Sequence, residues 1–334
     1  MKIFFALFKA RNREYLRDRG TLAWNFAFPL LVIFGFALGF SGAGRQIYKV
    51  GVVQSTGAAG EMAFLKTEYV QFIPVTDIKQ ALEKVRHHQF DMVLDLNGPK
   101  RYWVNETNPK GYVLERILWG SEGGVRYGKE VLTGREIRYI DWLLPGLLGM
   151  NMMFSCLFGV GYVIVRYRKG GILRRFKVTP IHAGQFITAQ VASRWVLVLA
   201  TTSILFVGTD LILDFVVYGS LLNLAFVFAL GTLCMISLGL LIASRTQNEE
   251  LAGGLLNLGT IPMMFLSEVW FSLEGSNPWL AKLAQILPLT HIVHAAREVM
   301  VEGAGLWDVM PDMVVLGAMT LVFTAMGAWL FRWE

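Results

Sequence analysis

The sequence predicts an α-helical polytopic membrane protein with one small α+β domain outside the bilayer. Three observations carry this. Hydrophobic residues make up 54% of the 334 residues and charged residues only 17%, a balance foreign to soluble domains. Six apolar segments are each long enough for a hydrocarbon core, which takes roughly 20 helical residues. Between the first two lies a long interruption of mixed charge with strand-like stretches.

The six spans read at 22–40, 142–165, 187–209, 221–243, 251–273 and 312–331. Backbone amides in lipid need internal partners, so these runs are helices. Pro29, Pro145 and Pro262 lie inside them, where they can kink them. The first span is preceded by a charged helix rather than a short basic start, unlike a cleavable signal. That leading segment, residues 1–21, reads as an interfacial amphipathic helix. Phe4, Leu7, Phe8 and Tyr15 share one face, and Lys2, Lys9, Arg13 and Arg17 are available to lipid headgroups.

Lys and Arg accumulate on the cytoplasmic side of short loops. One side, comprising residues 1–21, 166–186, 244–250 and the C-terminus, carries fourteen of them; the other carries Lys282 and Arg297. Both termini and the 166–186 loop are therefore expected in the cytoplasm, in the cell inner (plasma) membrane. Topology thus accounts for the net charge of +6, and no nucleic-acid role is expected. Cys156 and Cys234 both lie in apolar runs, so neither a disulfide framework nor a zinc site is expected.

The outer domain, 41–141, holds 14 bases and 12 acids. Strands are expected at 48–53, 70–75, 90–96 and 101–107, and helices at 58–69 and 77–88. In the second helix Asp77 is the cap, and Ile78, Leu82 and Val85 share a face. Residues 110–138 are expected to form a helix returning to the membrane. His87 and His88 read as solvated helix-end residues, and Asn105-Glu106-Thr107 matches a glycosylation sequon.

The stretch RYRKGGILRRFKVTPIHAGQF (166–186) has six bases and no acid. It reads as a short helix. Gly170 and Gly171 allow a tight turn into it, and Pro180 stops it. A solvated positive-inside loop would explain Arg174, Arg175 and Lys177. It would not explain Ile172, Leu173 and Phe176 at helical spacing. Within the spans, polar groups are costly in lipid and usually face protein or water. Asn151 and Ser155 on span two, and Asn257, Ser267 and Glu268 on span five, are thus candidates for a translocation path; helix-packing hydrogen bonds are the competing role. Arg194 is expected to snorkel to the headgroups. His291, His294, Glu298 and Glu302 fall on one helical face, but not at H-E-x-x-H spacing. No metal or catalytic role is assigned to them.

The order of parts resembles the ABC type-2 transporter permease family, the membrane subunits of ATP-driven exporters. The matching parts are the amphipathic N-terminal helix, the outer domain, YIDWLLPGLLGMNMM (139–153), KGGILRRFKVTP (169–180) and FLSEVWFSLEGSNPWLAKLAQILPLTHIVHAAREV (265–299). Two departures stand out. Tyr167, Arg168 and Lys169 occupy positions where many relatives carry an acid, and Glu268 replaces the glycine usual after FLS. The resemblance implies that 166–186 is a coupling helix and that 274–311 forms short outer or re-entrant helices. Ile172, Leu173 and Phe176 would fill a groove on a separate ATP-binding-cassette ATPase, and Arg174, Arg175 and Lys177 would pair with acids around it.

No G-x-x-x-x-G-K-[ST] stretch occurs. The chain is therefore expected to be no enzyme and to hold no cofactor itself; ATP and Mg would sit on the partner. One six-span chain is half of such a transporter, so a second permease copy is expected. Gly35 and Gly39 form a G-x-x-x-G pair in span one that suits close helix contact. The expected activity is export of an amphipathic or hydrophobic, drug-like or lipid-like substrate. The alternative is a membrane sensor whose outer domain binds a ligand; it would need a cytoplasmic output domain, and none is evident.

Overall fold

The computed structural model describes residues 2–39, 48–53, 62–75, 77–97, 100–121, 127–134, 137–177, 183–246, 248–273 and 277–330. The chain divides into two compact units. Ala37–Tyr139 forms one, and Met1–Phe36 with Ile140–Glu334 forms the other. The chain opens with helices α1 (Lys2–Arg17) and α2 (Arg19–Gly39).

The smaller unit contains strands β1 (Tyr48–Val53), β2 (Val70–Val75), β3 (Met92–Asp95), β4 (Arg101–Asn105) and β5 (Gly128–Leu132). They pair in the order β2-β1-β3-β4-β5. All pairings are parallel except β3 with β4. The period of two sorts side chains to opposite faces. Val50, Val52, Met92, Leu94, Tyr102 and Val104 pack with Leu114 and Leu118 of α4 (Pro109–Ser121). Val93 and Trp103 pack with Ala81 and Val85 of α3 (Ile78–Arg86). Asp77 caps α3 as expected, accepting from the Lys79 amide at 2.9 Å.

Two expectations fail in this unit. The helix expected over 110–138 stops at Ser121, and β5 follows it. Residues 128–132 are taken up by the sheet instead, where β5 pairs along the whole of β4. Of the helix expected over 58–69, the described part is one 3-10 turn, Ala63–Lys66. The Asn105 amide is buried and donates to the Arg86 carbonyl at 2.8 Å and the Gly134 carbonyl at 3.2 Å. The sequon is therefore a structural clasp in the folded unit.

In the larger unit, α5 (Tyr139–Cys156), a π-helical turn (Leu157–Tyr162) and α6 (Val163–Lys169) run on as one rod. Then come α7 (Ile172–Lys177), α8 (Ala183–Leu213), α9 (Leu221–Ala243), α10 (Glu249–Leu266), α11 (Pro278–Ala284) and α12 (Pro288–Arg297). A second π turn (Glu298–Glu302) precedes α13 (Met310–Leu330). Among the described residues, four helices are long and apolar enough to span a membrane: Tyr139–Lys169, Gly184–Leu213, Leu221–Ala243 and Met310–Leu330. The chain is a helical multi-pass membrane protein. α9 is the central element, touching α8, α12, α13 and the first π turn.

The run expected to span at 251–273 behaves differently. α10 ends at Leu266, and Glu268 adopts φ 54°. That left-handed turn breaks the helix before the apolar run ends, and the chain goes on to the short helices α11 and α12.

Candidate functional site

The 166–186 loop is rooted by a set of buried polar contacts. α6 ends at Lys169, and its last turn closes through the Gly170 amide on the Arg166 carbonyl at 2.9 Å and the Gly171 amide on the Arg168 carbonyl at 3.1 Å. Gly171 holds φ 69°, and α7 begins at the next residue. A Cβ there would meet nothing within 4 Å, so its requirement for glycine is backbone alone. Gly171→Ala is expected to destabilise by about 1 kcal/mol, the penalty for an L-residue in the left-handed region. Thermal unfolding checks this, and an unchanged melting temperature would argue against the turn.

Arg168 is the centre of the root. It is 7% exposed, and its guanidinium reaches past the C-terminus of α9. Nη1 donates to the Ala243 carbonyl at 2.9 Å and to the Thr246 carbonyl, and Nη2 to the Ser244 carbonyl at 3.0 Å. The last carbonyls of a helix lack partners within it and carry partial negative charge. Arg168 satisfies them with a full cation. Lys169 reaches Glu249 at the start of α10 at 3.6 Å. On the other side, the Tyr167 hydroxyl donates to Glu14 of α1, and Arg166 donates to the same carboxylate at 3.2 Å. Arg11 donates to Glu14 at 2.9 Å and to the Gly159 carbonyl at 3.0 Å. Burial alone would raise the Glu14 pKa; Tyr167, Arg11 and Arg166 outweigh it and hold the carboxyl below its usual range.

The departure at Tyr167, Arg168 and Lys169 thus builds a junction of α1, α6, α9 and α10. Leu173 is fully buried within the chain, so it anchors α7 and has no surface to offer a groove. This corrects the expectation that it would fill one. Ile172 is half-buried and Arg175 exposed. The side chains of Arg174, Phe176 and Lys177, and the whole of Pro180, lie outside the described residues.

The translocation candidates fall in two different places. Asn151 and Ser155 are buried on α5 and line a cavity of about 570 Å³. Arg194 of α8 enters the same cavity. Its Nε donates to the Ser155 carbonyl at 2.8 Å and Nη2 shares that acceptor. Arg194 is 5% exposed, so it does not snorkel outward. The sequence could not show that the π turn leaves room for it: a Cβ at Gly159 would overlap the guanidinium. Asn257, by contrast, lies on an exposed face of α10.

Ser267 and Glu268 line a second cavity of about 590 Å³ with His291, His294, Arg297 and Asp312. Arg297 stacks 3.9 Å over the Trp142 ring and donates to the Glu268 carbonyl at 2.9 Å. It also pairs with the Glu268 carboxylate at 3.5 Å, which accepts from the Leu273 amide at 3.0 Å. Gly146 lets α5 approach the Val269 backbone, where a Cβ would come within 2.9 Å.

On the helical face that holds His291, His294, Glu298 and Glu302, His294 Nε2 lies 3.9 Å from the Glu298 carboxylate. Both histidines turn to Asp312 of α13, His291 Nδ1 at 2.7 Å and His294 Nδ1 at 2.8 Å. Among the described residues no group of three His, Cys, Asp or Glu could hold a metal ion. His291 Nε2 faces the Gln285 carbonyl at 2.9 Å. Both its ring nitrogens meet acceptors, so the ring is the imidazolium. The hydrogen bond to Asp312 raises the pKa of each histidine against the opposing effect of burial. Raised folded values give stability that is complete below the ordinary value of 6.5 and lost as pH climbs through the folded value. The melting temperature is expected to fall as pH rises above 6.5 and to lose that slope in His291→Asn/His294→Asn. A parallel slope in the double variant would contradict the pairing.

A family model described as ABC-2 type transporter matches residues 99–301, more than half of the chain. The chain belongs to the ABC-2 type transporter family. An ABC-2 permease is the membrane subunit of its transporter: ATP is hydrolysed on a separate ATP-binding-cassette partner, and the permease is not itself an enzyme. One relative, 24% identical over 200 residues, is the daunorubicin resistance ABC transporter permease protein DrrB1 of Streptomyces coeruleorubidus. That match covers 58% of this permease and 69% of the relative. Another is the probable multidrug ABC transporter permease YbhR of Escherichia coli K12, 24% identical over 258 residues, covering 73% of this permease and 68% of the relative.

Sequence reasoning missed Arg11, Glu14 and Asp312 as site residues. Arg11 had a visible signal. It lies three residues after Phe8 and four before Tyr15, on the buried face of α1.

Proposed function

We propose that the permease exports an amphipathic or hydrophobic, drug-like or lipid-like substrate from the cytoplasm or inner leaflet. In this reading α2 and α10 are the first and fifth of six spans, and both termini and α7 face the cytoplasm of an inner membrane. The unit 37–139 lies outside. Two permease copies meet two ATPase subunits, which bind ATP and Mg. α7 docks on an ATPase through Ile172, Arg174, Arg175, Phe176 and Lys177, with Gly170, Gly171 and Pro180 setting its ends and Leu173 anchoring it.

The observation that carries this reading is the Arg168 junction. A loop that only marks topology needs no buried guanidinium tying its base to α9. A lever does, because motion at α7 reaches the spans only through a stiff root. The exposed face of α10 supports a second copy. Leu251, Leu255, Leu258 and Phe265 are exposed there, and Asn257 beside them is costly against lipid. Asn151 and Ser155 would meet substrate inside, and Ser267 and Glu268 would gate its exit.

The names of the two relatives supply the probe. Inverted vesicles holding the permease and its ATPase are expected to accumulate daunorubicin or another hydrophobic cation when ATP is added. Uptake independent of ATP, or equally fast without the permease, would sink the proposal.

A further inference from the structure

The cavity that Arg194 enters holds this cation without an ion pair to it among the described residues. Arg194 is 5% exposed. Its bonds use Nε and Nη2 on one neutral carbonyl, and the Tyr15 ring lies 5.1 Å from its Cζ. Among the described residues no carboxylate touches it. Glu14 and Asp18 line the same cavity with Arg11 and Arg166, but neither carboxylate bonds Arg194, and Glu14 is engaged by Arg11, Arg166 and Tyr167. A buried charge without a counter-ion is costly, and Nη1 of Arg194 makes no bond among the described residues.

The surroundings limit what could complete it. Phe28, Phe154 and Phe158 form an apolar wall, and Asn25 and Asn151 add neutral polar groups. A volume of about 570 Å³ suits a headgroup with part of a chain. α1 lines the cavity with Arg11, Glu14 and Tyr15, and its exposed Phe5 and Leu16 suit a membrane surface.

We propose that this cavity binds an anionic phospholipid, one molecule per permease. The phosphate pairs with Arg194 through its free Nη1, and the acyl chain lies along Phe28, Phe154 and Phe158. Asn25, held by its 2.6 Å bond to the Tyr15 hydroxyl, borders the headgroup. The phosphate supplies the missing counter-charge, and the phenylalanines favour a lipid over a free anion. The proposal rests on the cytoplasmic placement of α1 given above, and on no transported substrate.

The test is binding by the full-length permease in neutral detergent, read by native mass spectrometry. The probes are dioleoylphosphatidylglycerol, dioleoylglycerol and inorganic phosphate. Wild-type protein is expected to bind the phosphatidylglycerol one to one and dioleoylglycerol about tenfold less well or worse. Arg194→Gln is expected to weaken the phospholipid by about tenfold or more, Arg194→Lys by much less, and the exposed Arg175→Gln not at all. Equal binding of the two lipids to wild type would overturn the proposal even if Arg194→Gln fails to fold. So would undiminished phospholipid binding by a folded Arg194→Gln. Displacement of the lipid by an equal concentration of phosphate would make the site one for a free anion and would overturn the lipid assignment. Because no arm measures transport, failure of the exporter reading and failure of this site are separable.

Discussion

Arg168→Ala is expected to destabilise the permease by about 3 kcal/mol, since buried charged hydrogen bonds and orphaned acceptors each carry about 1–3 kcal/mol. The side chain serves three carbonyls, of Ala243, Ser244 and Thr246. Removing it leaves those acceptors at the buried, negative end of α9 without a donor, and it frees the base of α7 from the central helix. The melting temperature should drop, and ATP-driven transport should fall further than the folded fraction does. Arg168→Lys is expected to recover little, because an ammonium lacks the planar fork that reaches acceptors on both sides. If Arg168→Ala folded and transported like wild type, the junction would be ornamental.

The second large effect is expected at the Glu268 cavity. Arg297→Ala removes the stack on Trp142, the bond to the Glu268 carbonyl and the pair with the Glu268 carboxylate. It leaves that carboxylate at 32% exposure with no cation among the described residues. The expected loss is about 2–4 kcal/mol, as for breaking a largely buried pair from one side. Glu268→Gly should behave in the opposite way. Glu268 holds φ 54°, a conformation that costs a side chain about 1 kcal/mol. Glycine relieves that strain while removing the carboxylate and its bond to the Leu273 amide. The expected outcome is a variant near wild-type stability with altered transport, since strain retained at a position suited to glycine points to a role for the carboxylate. Wild-type transport by Glu268→Gly, together with wild-type stability of Arg297→Ala, would remove both residues from the proposed gate.

Much of the architecture was legible because its signals are local. Apolar runs of the right length located four of the spanning helices within a few residues, and β-branched runs located β1 and β2. Asp77 was read as a cap and is one. The failures were nonlocal. β5 is a polar edge strand that exists only because β4 pairs with it, so no internal periodicity marks it. α10 stops at Leu266 because Glu268 turns left-handed, and nothing in an apolar run announces the sign of φ. The polar residues were found as types but not as partners. Arg168 and Arg194 read as membrane-flank cations, yet each bonds carbonyls on a different helix, and the sequence holds no record of which helix ends lie beside it. His291 and His294 looked like one face of a helix, while the group that organises them, Asp312, comes from α13.

Chemical reporting at α7 tests the central claim most directly. Cys156 and Cys234 are both buried, so a single Arg175→Cys on the exposed side of α7 can be labelled selectively with a photo-crosslinking maleimide in membranes that contain the candidate ATPase. A lever gripped by that subunit predicts a permease–ATPase crosslink whose yield changes when ATP is bound. A probe at Arg175→Cys that stays water-exposed and captures no nucleotide-binding subunit, in membranes that still transport with ATP, would contradict the account.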